Sequence, residues 1–285
     1  MGDAASVERV SSDPVTNDRE RETYLHGHHA SVLRSHGWRT AANSAAYLVP
    51  HLRPGMDLLD VGCGPGTITV DLARLVAPGK VFGIDLASEV LEAPRRQADE
   101  QGVHNVTFAS GDVYGLALPD DSVDVVHAHQ VLQHLADPVA ALIEMRRVTR
   151  PGGLVAVRDA DYAVMTWWPS DPRLDRWLEI YRATARASGG EPDAGRRLLG
   201  WAQSAGLTDV TVSADAWCFA TPEERAWWGG TWAERATASS FAHQAVAHGM
   251  TSPEELAGVA EAWRAWARAE DGFFVVVHGE ILARA

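Results

Sequence analysis

Between Asp57 and Val157 short apolar runs alternate with amphipathic stretches, the pattern of repeated strand–helix units whose strands lie parallel in one sheet. The runs predict strands over Asp57–Val61, Lys80–Ile84, Val106–Ser110, Ser122–Ala128 and Gly153–Arg158. After Asp159 the rhythm breaks. A Trp-rich stretch containing Pro169 leads into a helical pattern from Pro172 to Ala187, followed by Gly189-Gly190. A helix and a strand resume at Arg196–Ala205 and Val210–Phe219, a second mostly helical block runs from Pro222 to Ala269, and Gly272–Leu282 reads as a buried strand. Pro222 and Pro253 each follow Thr or Ser and precede acidic residues, as helix starts do. The two late helical blocks, at about 161–195 and 222–269, interrupt the sheet, so they read as insertions building a lid within a single domain of residues 23–285.

Composition narrows the chemistry. With 25 Lys+Arg against 38 Asp+Glu, a formal charge of −13 over 285 residues, the chain repels polyphosphate backbones and anionic membrane surfaces, which argues against nucleic acid and membrane as partners. Residues 1–22 are polar and acidic without an apolar leader segment, and predict a disordered tail. The run Phe273 to Val277 is too short to span a bilayer. Cys63 and Cys218 are the only cysteines. They form no disulfide framework and no zinc spacing, which fits a reducing, cytoplasmic setting.

The candidate site begins where Asp57-Leu58-Leu59-Asp60-Val61 runs into Gly62-Cys63-Gly64-Pro65-Gly66-Thr67, with a helical pattern starting near Thr67. Glycines permit a sharp turn and close approach of a ligand to the main chain, and the helix N-terminus that follows offers N–H groups, so a nucleotide-like ligand is implied. The next strand ends at Gly83-Ile84-Asp85, about 20 residues on, where a carboxylate can accept from both ribose hydroxyls; the competing reading is a helix-capping Asp. A third carboxylate, Asp112, follows the third strand within reach of an adenine amino group. Three ligand-facing positions thus fall at three successive strand ends. The turn is GxGxG rather than GxGxxG, which places a nicotinamide or flavin dehydrogenase well behind.

These residues resemble a known family. Leu58-Leu59-Asp60-Val61-Gly62-Cys63-Gly64-Pro65-Gly66, Gly83-Ile84-Asp85, Gly111-Asp112 and Leu118-Pro119-Asp120-Asp121-Ser122-Val123-Asp124-Val125-Val126 are similar to class I S-adenosylmethionine (SAM)-dependent methyltransferases of the ubiquinone/menaquinone-biosynthesis-like type. Val131-Leu132-Gln133-His134-Leu135-Ala136-Asp137-Pro138 and Glu144-Met145-Arg146-Arg147-Val148-Thr149-Arg150-Pro151-Gly152-Gly153 continue the likeness. The resemblance implies a Rossmann-like α/β fold with a seven-stranded sheet in the order 3-2-1-4-5-7-6, the last strand antiparallel, and helices on both faces. It implies SAM as cofactor and S-adenosylhomocysteine (SAH) as product. By position it assigns Gly62, Gly64 and Gly66 to the methionine moiety, Asp85 to the ribose, and Asp112 and Val113 to the adenine, with Cys63, Thr67, Leu86, Gly111 and His134 also expected to bind the cofactor. His129 and Gln130, at the end of the fourth strand, fall beside the sulfonium. The N-terminal helix would fold over the cleft, which brings in Tyr24, His28 and Arg34. The chain departs from the pattern at Pro94, which is expected inside a helix, where it would remove a hydrogen bond and bend the adenine-side wall.

Methyl transfer from a sulfonium asks mainly for alignment and exclusion of water, and for removal of a proton from a protonated acceptor. His129 is the best-placed base, with a pocket-shaping contact as the equal alternative. Asp159 and Asp161, at the end of the fifth strand, would orient an acceptor or take its proton, or else serve as a helix cap and a surface ion pair. His134 reads as structural rather than catalytic. His26, His28 and His29 lack an acidic or cysteine partner at metal spacing, so no metal is expected. Of eleven tryptophans, Trp167, Trp168, Trp217, Trp227, Trp228 and Trp232 cluster in or beside the insertions, whereas Trp263 and Trp266 pack a helix onto the core. Aromatic walls would favour a flat or hydrophobic small-molecule acceptor, with lid packing as the competing explanation. The alternative function is a SAM-binding protein that transfers no methyl group, regulatory or using SAM electrostatically. The acceptor atom and homo-oligomerisation stay open.

Overall fold

A computed structural model describes residues 38–285. Eight strands form one mixed sheet: β1 Leu58–Val61, β2 Val81–Asp85, β3 Val106–Ser110, β4 Val123–His129, β5 Thr149–Ala160, β6 Thr166–Trp168, β7 Thr208–Phe219 and β8 Phe273–Arg284. The order is β3-β2-β1-β4-β5-β8-β6, with β7 also paired to β8. Strands β1 to β5 run parallel, and β8 is antiparallel to β5 and to β7. The seven expected strands are present in the expected order. The addition is β6, three residues that pair with Phe273, Phe274 and Val275, the part of β8 that extends past the end of β5.

The central strands β1 and β4 are buried on both faces because helices cover both, whereas β3 at the sheet edge buries only Phe108. On one face α1 (Ala41–Ser44), α2 (Thr67–Val76) and α3 (Glu92–Glu100) bury Ala41, Val70, Leu72, Ala73 and Ala98 against Leu58, Val81 and Val125. On the other, α4 (Pro138–Val148) and α6 (Leu198–Ser204) bury Leu142, Met145, Leu198 and Ala202 against Leu59, Val126 and Val155. Asp137 caps α4 by accepting from the Ala140 N–H at 2.9 Å.

The insertions form a third core. Helices α5 (Pro172–Ala187), α7 (Pro222–Ala238), α8 (Ser240–Ala247) and α9 (Pro253–Arg268) gather Trp177, Trp228, Trp232, Trp263 and Trp266 around Phe219 and Phe274 at the ends of β7 and β8. Trp177 and Trp263 meet edge to face at 4.9 Å, the geometry that opposite quadrupoles favour. The helix starts at Pro222 and Pro253 are as expected: Thr221 and Glu224 form a capping box, and the Ser252 hydroxyl accepts from the Glu255 N–H. The Pro94 expectation is corrected. Helix α3 begins at Glu92, so Pro94 lies in its first turn, where an N–H would have no intrahelical partner, and no interior bond is lost. Among the described residues no helix is long and apolar enough to cross a membrane.

Candidate functional site

The carboxyl ends of β1 to β5 converge on one edge of the sheet, as parallel crossovers require. At the end of β1, Gly62, Gly64 and Gly66 hold φ of +66°, +51° and +77°, a region costly to residues with a Cβ. Gly66 is the N-cap of α2, and a Cβ on it would fall 2.3 Å from Pro94 Cβ. A Cβ on Gly62 would lie 2.5 Å from Val131 Cγ2. The turn is thus pinned between Pro94 and Val131, with the Gly62 backbone exposed.

Asp85, at the end of β2, ties the turn to the next loop. Its Oδ2 accepts from the Gly64 N–H at 3.0 Å and its Oδ1 from the Ala87 N–H at 3.1 Å. Each carboxylate oxygen can accept more than one hydrogen bond, so the acid is oriented and keeps acceptor capacity. Leu86 beside it is 75 % exposed. Past β3, Gly111 packs on Ile84 and Val113 is buried. Asp112 is exposed, with Oδ1 accepting from the Tyr114 N–H at 2.9 Å. Thr67 opens α2, and Cys63 is buried with its thiol pKa pushed far up, by burial first and then by Asp60 and Asp85, so it is no nucleophile.

Beneath the turn, Asp60 Oδ1 lies 2.7 Å from His127 Nδ1 and Oδ2 accepts from the Thr69 hydroxyl at 2.5 Å, all three residues buried. That polar stripe continues across the sheet. His129 stands opposite Arg158, and Arg158 opposite Glu280, so all three share a face. Arg158 is fully buried and donates to Glu280 Oε1 at 3.0 Å, and Ser213 donates to Glu280 Oε2 at 2.7 Å. The Trp217 indole is covered by the Arg158 guanidinium at 5.0 Å and by that of Arg39 at 5.5 Å.

Gln130 leaves β4 with φ +54°, unusual for a residue with a Cβ and characteristic of functional sites. Its Oε1 accepts from Arg39 Nη2 at 2.5 Å and its Nε2–H donates to His278 Nε2 at 2.8 Å. His278 and His129 are buried and have pKa values well below the ordinary imidazole range. Burial is the main cause in both, and the Arg39 and Arg158 cations add to it. Both rings are therefore neutral near pH 7. The two nitrogens of His129 have no hydrogen-bond partner among the described residues, and its ring lies 5.6 Å from Trp217.

Gln130 also lines a pocket, together with Trp38, Arg39, Tyr162, Met165, Trp217, Trp227, Trp228, Trp232, Arg235 and Val276. Asp159 is not brought to this pocket. It alternates to the opposite face from Arg158, where its Oδ1 accepts from the Gln133 N–H at 3.2 Å, and burial pushes its pKa up to about 8. Asp161 is paired with Arg196 by two bonds of 2.6 and 2.8 Å. His134 is half-buried, interacts with the Gln133 amide at 3.1 Å, and is held at a pKa of about 3 by burial and by Arg39. Tyr24, His28 and Arg34, like the 1–22 tail, lie outside the described residues. Sequence reasoning missed Arg39, His278 and Glu280; the signal available for the last two was a pair of polar residues at period two inside an apolar strand.

With this geometry in view, comparisons with known proteins agree. A family model described as a methyltransferase domain matches residues 52–206. An uncharacterized methyltransferase of Schizosaccharomyces pombe is 35% identical over 91% of this chain and 95% of its own length. A demethylmenaquinone methyltransferase of Geobacillus stearothermophilus is 37% identical over 46% of this chain and 53% of its own length. Among solved structures, a phosphoethanolamine N-methyltransferase of Haemonchus contortus, in complex with phosphomonomethylethanolamine and SAH, shares the fold with a TM-score of 0.57 at 17% identity, over 95% of this chain and 61% of its own.

Proposed function

This chain belongs to the methyltransferase family, and from that premise we propose that it binds SAM along the Gly62–Gly66 turn and methylates a small molecule seated in the tryptophan-lined pocket. The observation that carries the reading is the junction at the end of β4. Val131 packs on Gly62 of the turn, and Gln130, the residue before it, lines the pocket, so donor and acceptor sites meet there. The residues fit the cofactor. Left-handed glycines let it approach the backbone, Asp85 is oriented with acceptor capacity for a ribose diol, and exposed Leu86 with Asp112 and Val113 offers an adenine-sized margin. Bound there, SAM supplies an electrophilic methyl group.

The chain's own contribution is placement and dryness. Residues from the 161–195 and 222–269 insertions, among them Tyr162, Met165, Trp228 and Trp232, roof the pocket as a lid and exclude water. Gln130, locked between Arg39 and His278, fixes the pocket edge nearest the donor. His129, made a weak base by burial and absent from the pocket lining, serves as a contact behind Trp217 rather than as the base. Asp159 positions the Leu132–His134 turn through Gln133. The test is calorimetry with SAH. Asp85→Ala is expected to weaken binding by more than tenfold, and unchanged affinity overturns the donor site. With labelled SAM and a diverse acceptor library, SAH must appear as a product; tight binding without turnover would make the chain a SAM binder only.

A further inference from the structure

Resting on the reading of the Gly62–Gly66 turn as the donor site, we propose that Pro94 is a positioning residue for SAM, a rigid abutment that holds the turn at the width its methionine end requires. Helix α3 turns only two buried side chains inward, Pro94 and Ala98, which lie about one turn apart on a single face. Pro94 stands at the donor turn itself. A Cβ on Gly66 would overlap Pro94 Cβ and would lie 3.2 Å from both Pro94 Cα and Phe108 Cε1, so the Gly66 backbone rests against the proline and is backed by the ring from β3. Arg95 Nη2 donates to the Phe108 carbonyl at 2.8 Å, which ties the first turn of α3, and the abutment with it, to that strand.

Gly66 is where a displacement would matter. Its N–H donates to the Cys63 carbonyl at 2.9 Å, and its own carbonyl accepts from the Val70 N–H at 2.9 Å, the first bond of α2. A shift of Gly66 toward α3 therefore opens the Cys63–Gly66 turn and tilts the start of α2 together. The ribose end has separate support, because Asp85 also accepts from the Ala87 N–H. Proline suits the abutment. Its ring fixes φ and has no rotamer freedom to lose, so the contact holds its place at little entropic cost. In the first turn of a helix its missing N–H has no intrahelical partner to forfeit.

The experiment measures two ligands by calorimetry on the full chain: SAH, and 5′-methylthioadenosine, which keeps the adenosine and the sulfur but lacks the amino-acid end. Pro94→Gly, which removes the abutting Cβ, is expected to weaken SAH about tenfold while leaving methylthioadenosine within about twofold. Pro94→Ala keeps that Cβ and should bind SAH within about threefold of wild type. Ala93→Gly, at an exposed position in the same turn of α3, loosens the helix without touching Gly66 and should leave both ligands unchanged. Wild-type SAH affinity in Pro94→Gly overturns the proposal, as does an equal loss of both ligands, or a loss in Ala93→Gly or Pro94→Ala as large as that in Pro94→Gly. If methylthioadenosine binds too weakly to measure, the contrast in SAH affinity among the three variants decides. Should Pro94→Gly fail to fold by circular dichroism, Pro94→Leu reads the same contact from the other side: overpacking against Gly66 should weaken SAH and spare methylthioadenosine, and unchanged SAH affinity then overturns the proposal. A wild-type chain that binds neither ligand counts against the donor site instead.

Discussion

Asp159→Asn separates a positioning role from a catalytic one by its pH dependence. The carboxyl is fully buried, and its folded-state pKa is pushed up to about 8 by loss of solvation, against 3.8 for the free group. The folded chain therefore holds a proton that the unfolded chain has lost throughout the window between these values. Stability associated with that proton is present below the lower value and is lost progressively as pH rises toward the upper one. Asparagine carries no such proton, so the variant gains relative to the wild type as pH rises. Between pH 6 and the folded pKa lie about 2 pH units, each worth about 1.4 kcal/mol, so the relative gain from pH 6 to pH 9 is about 3 kcal/mol. At roughly 2–4 °C per kcal/mol for a chain of this size, the difference in Tm between variant and wild type should widen by roughly 6–12 °C. Thermal melts followed by circular dichroism at both pH values provide the assay, and the wild-type subtraction removes the contributions of His129, His134 and His278. A Tm difference that stays constant across the range refutes the assignment of Asp159 as a neutral buried acid, and abolished turnover with SAH affinity intact would return it to the chemistry.

Gly62→Ala forces a Cβ onto a backbone at φ +66° and into Val131; it should cost about 1–3 kcal/mol in urea unfolding and weaken SAH at least tenfold, with Val131→Ala relieving the clash but not the backbone strain in the double variant. Wild-type affinity in Gly62→Ala would mean that the ligand does not use the turn. Arg158→Met leaves Glu280 buried with Ser213 alone and should cost about 3–5 kcal/mol, most of it recovered in Arg158→Met/Glu280→Gln. Additive losses in that pair would show that the two groups do not compensate each other.

The fold was legible where local signals were complete. Helix α5 was read to the residue because Pro172 starts it behind the capping Asp171 and the Ser188-Gly189-Gly190 run ends it. The central parallel strands announced themselves as apolar runs because both of their faces are covered. Strand β6 was not legible: Thr166-Trp167-Trp168 is too short to show alternation, and it exists only because β8 outruns β5. Pro94 was misjudged for a related reason. The 3-10 turn Ser88–Val90 delays the start of α3 to Glu92, and a boundary error of two or three residues converts a tolerated first-turn proline into a forbidden interior one.

The donor side of the site was legible for the same local reason, since glycine turn, acid and following helix are each defined within a few residues and the strand repeat spaces them. The surroundings of the tryptophan-lined pocket depend on pairs far apart in the chain: Arg158 with Glu280 across 122 residues, Gln130 with His278 across 148. Even so, the terminal strand carried a usable constraint. His278 and Glu280 stand on one face of a strand whose neighbours Val276 and Ile281 are almost fully buried, and a carboxylate cannot be desolvated there without a cation facing it. Burial of Glu280 therefore demands a basic residue in an adjacent strand. In the structure that cation is Arg158, which the β5–β8 register sets opposite Glu280. That register in turn sets Ala160 against His278 and carries the imidazole to the end of β4 where Gln130 waits. The buried charge pair thus lies behind the pocket, under Trp217 and beside the His278 that holds Gln130.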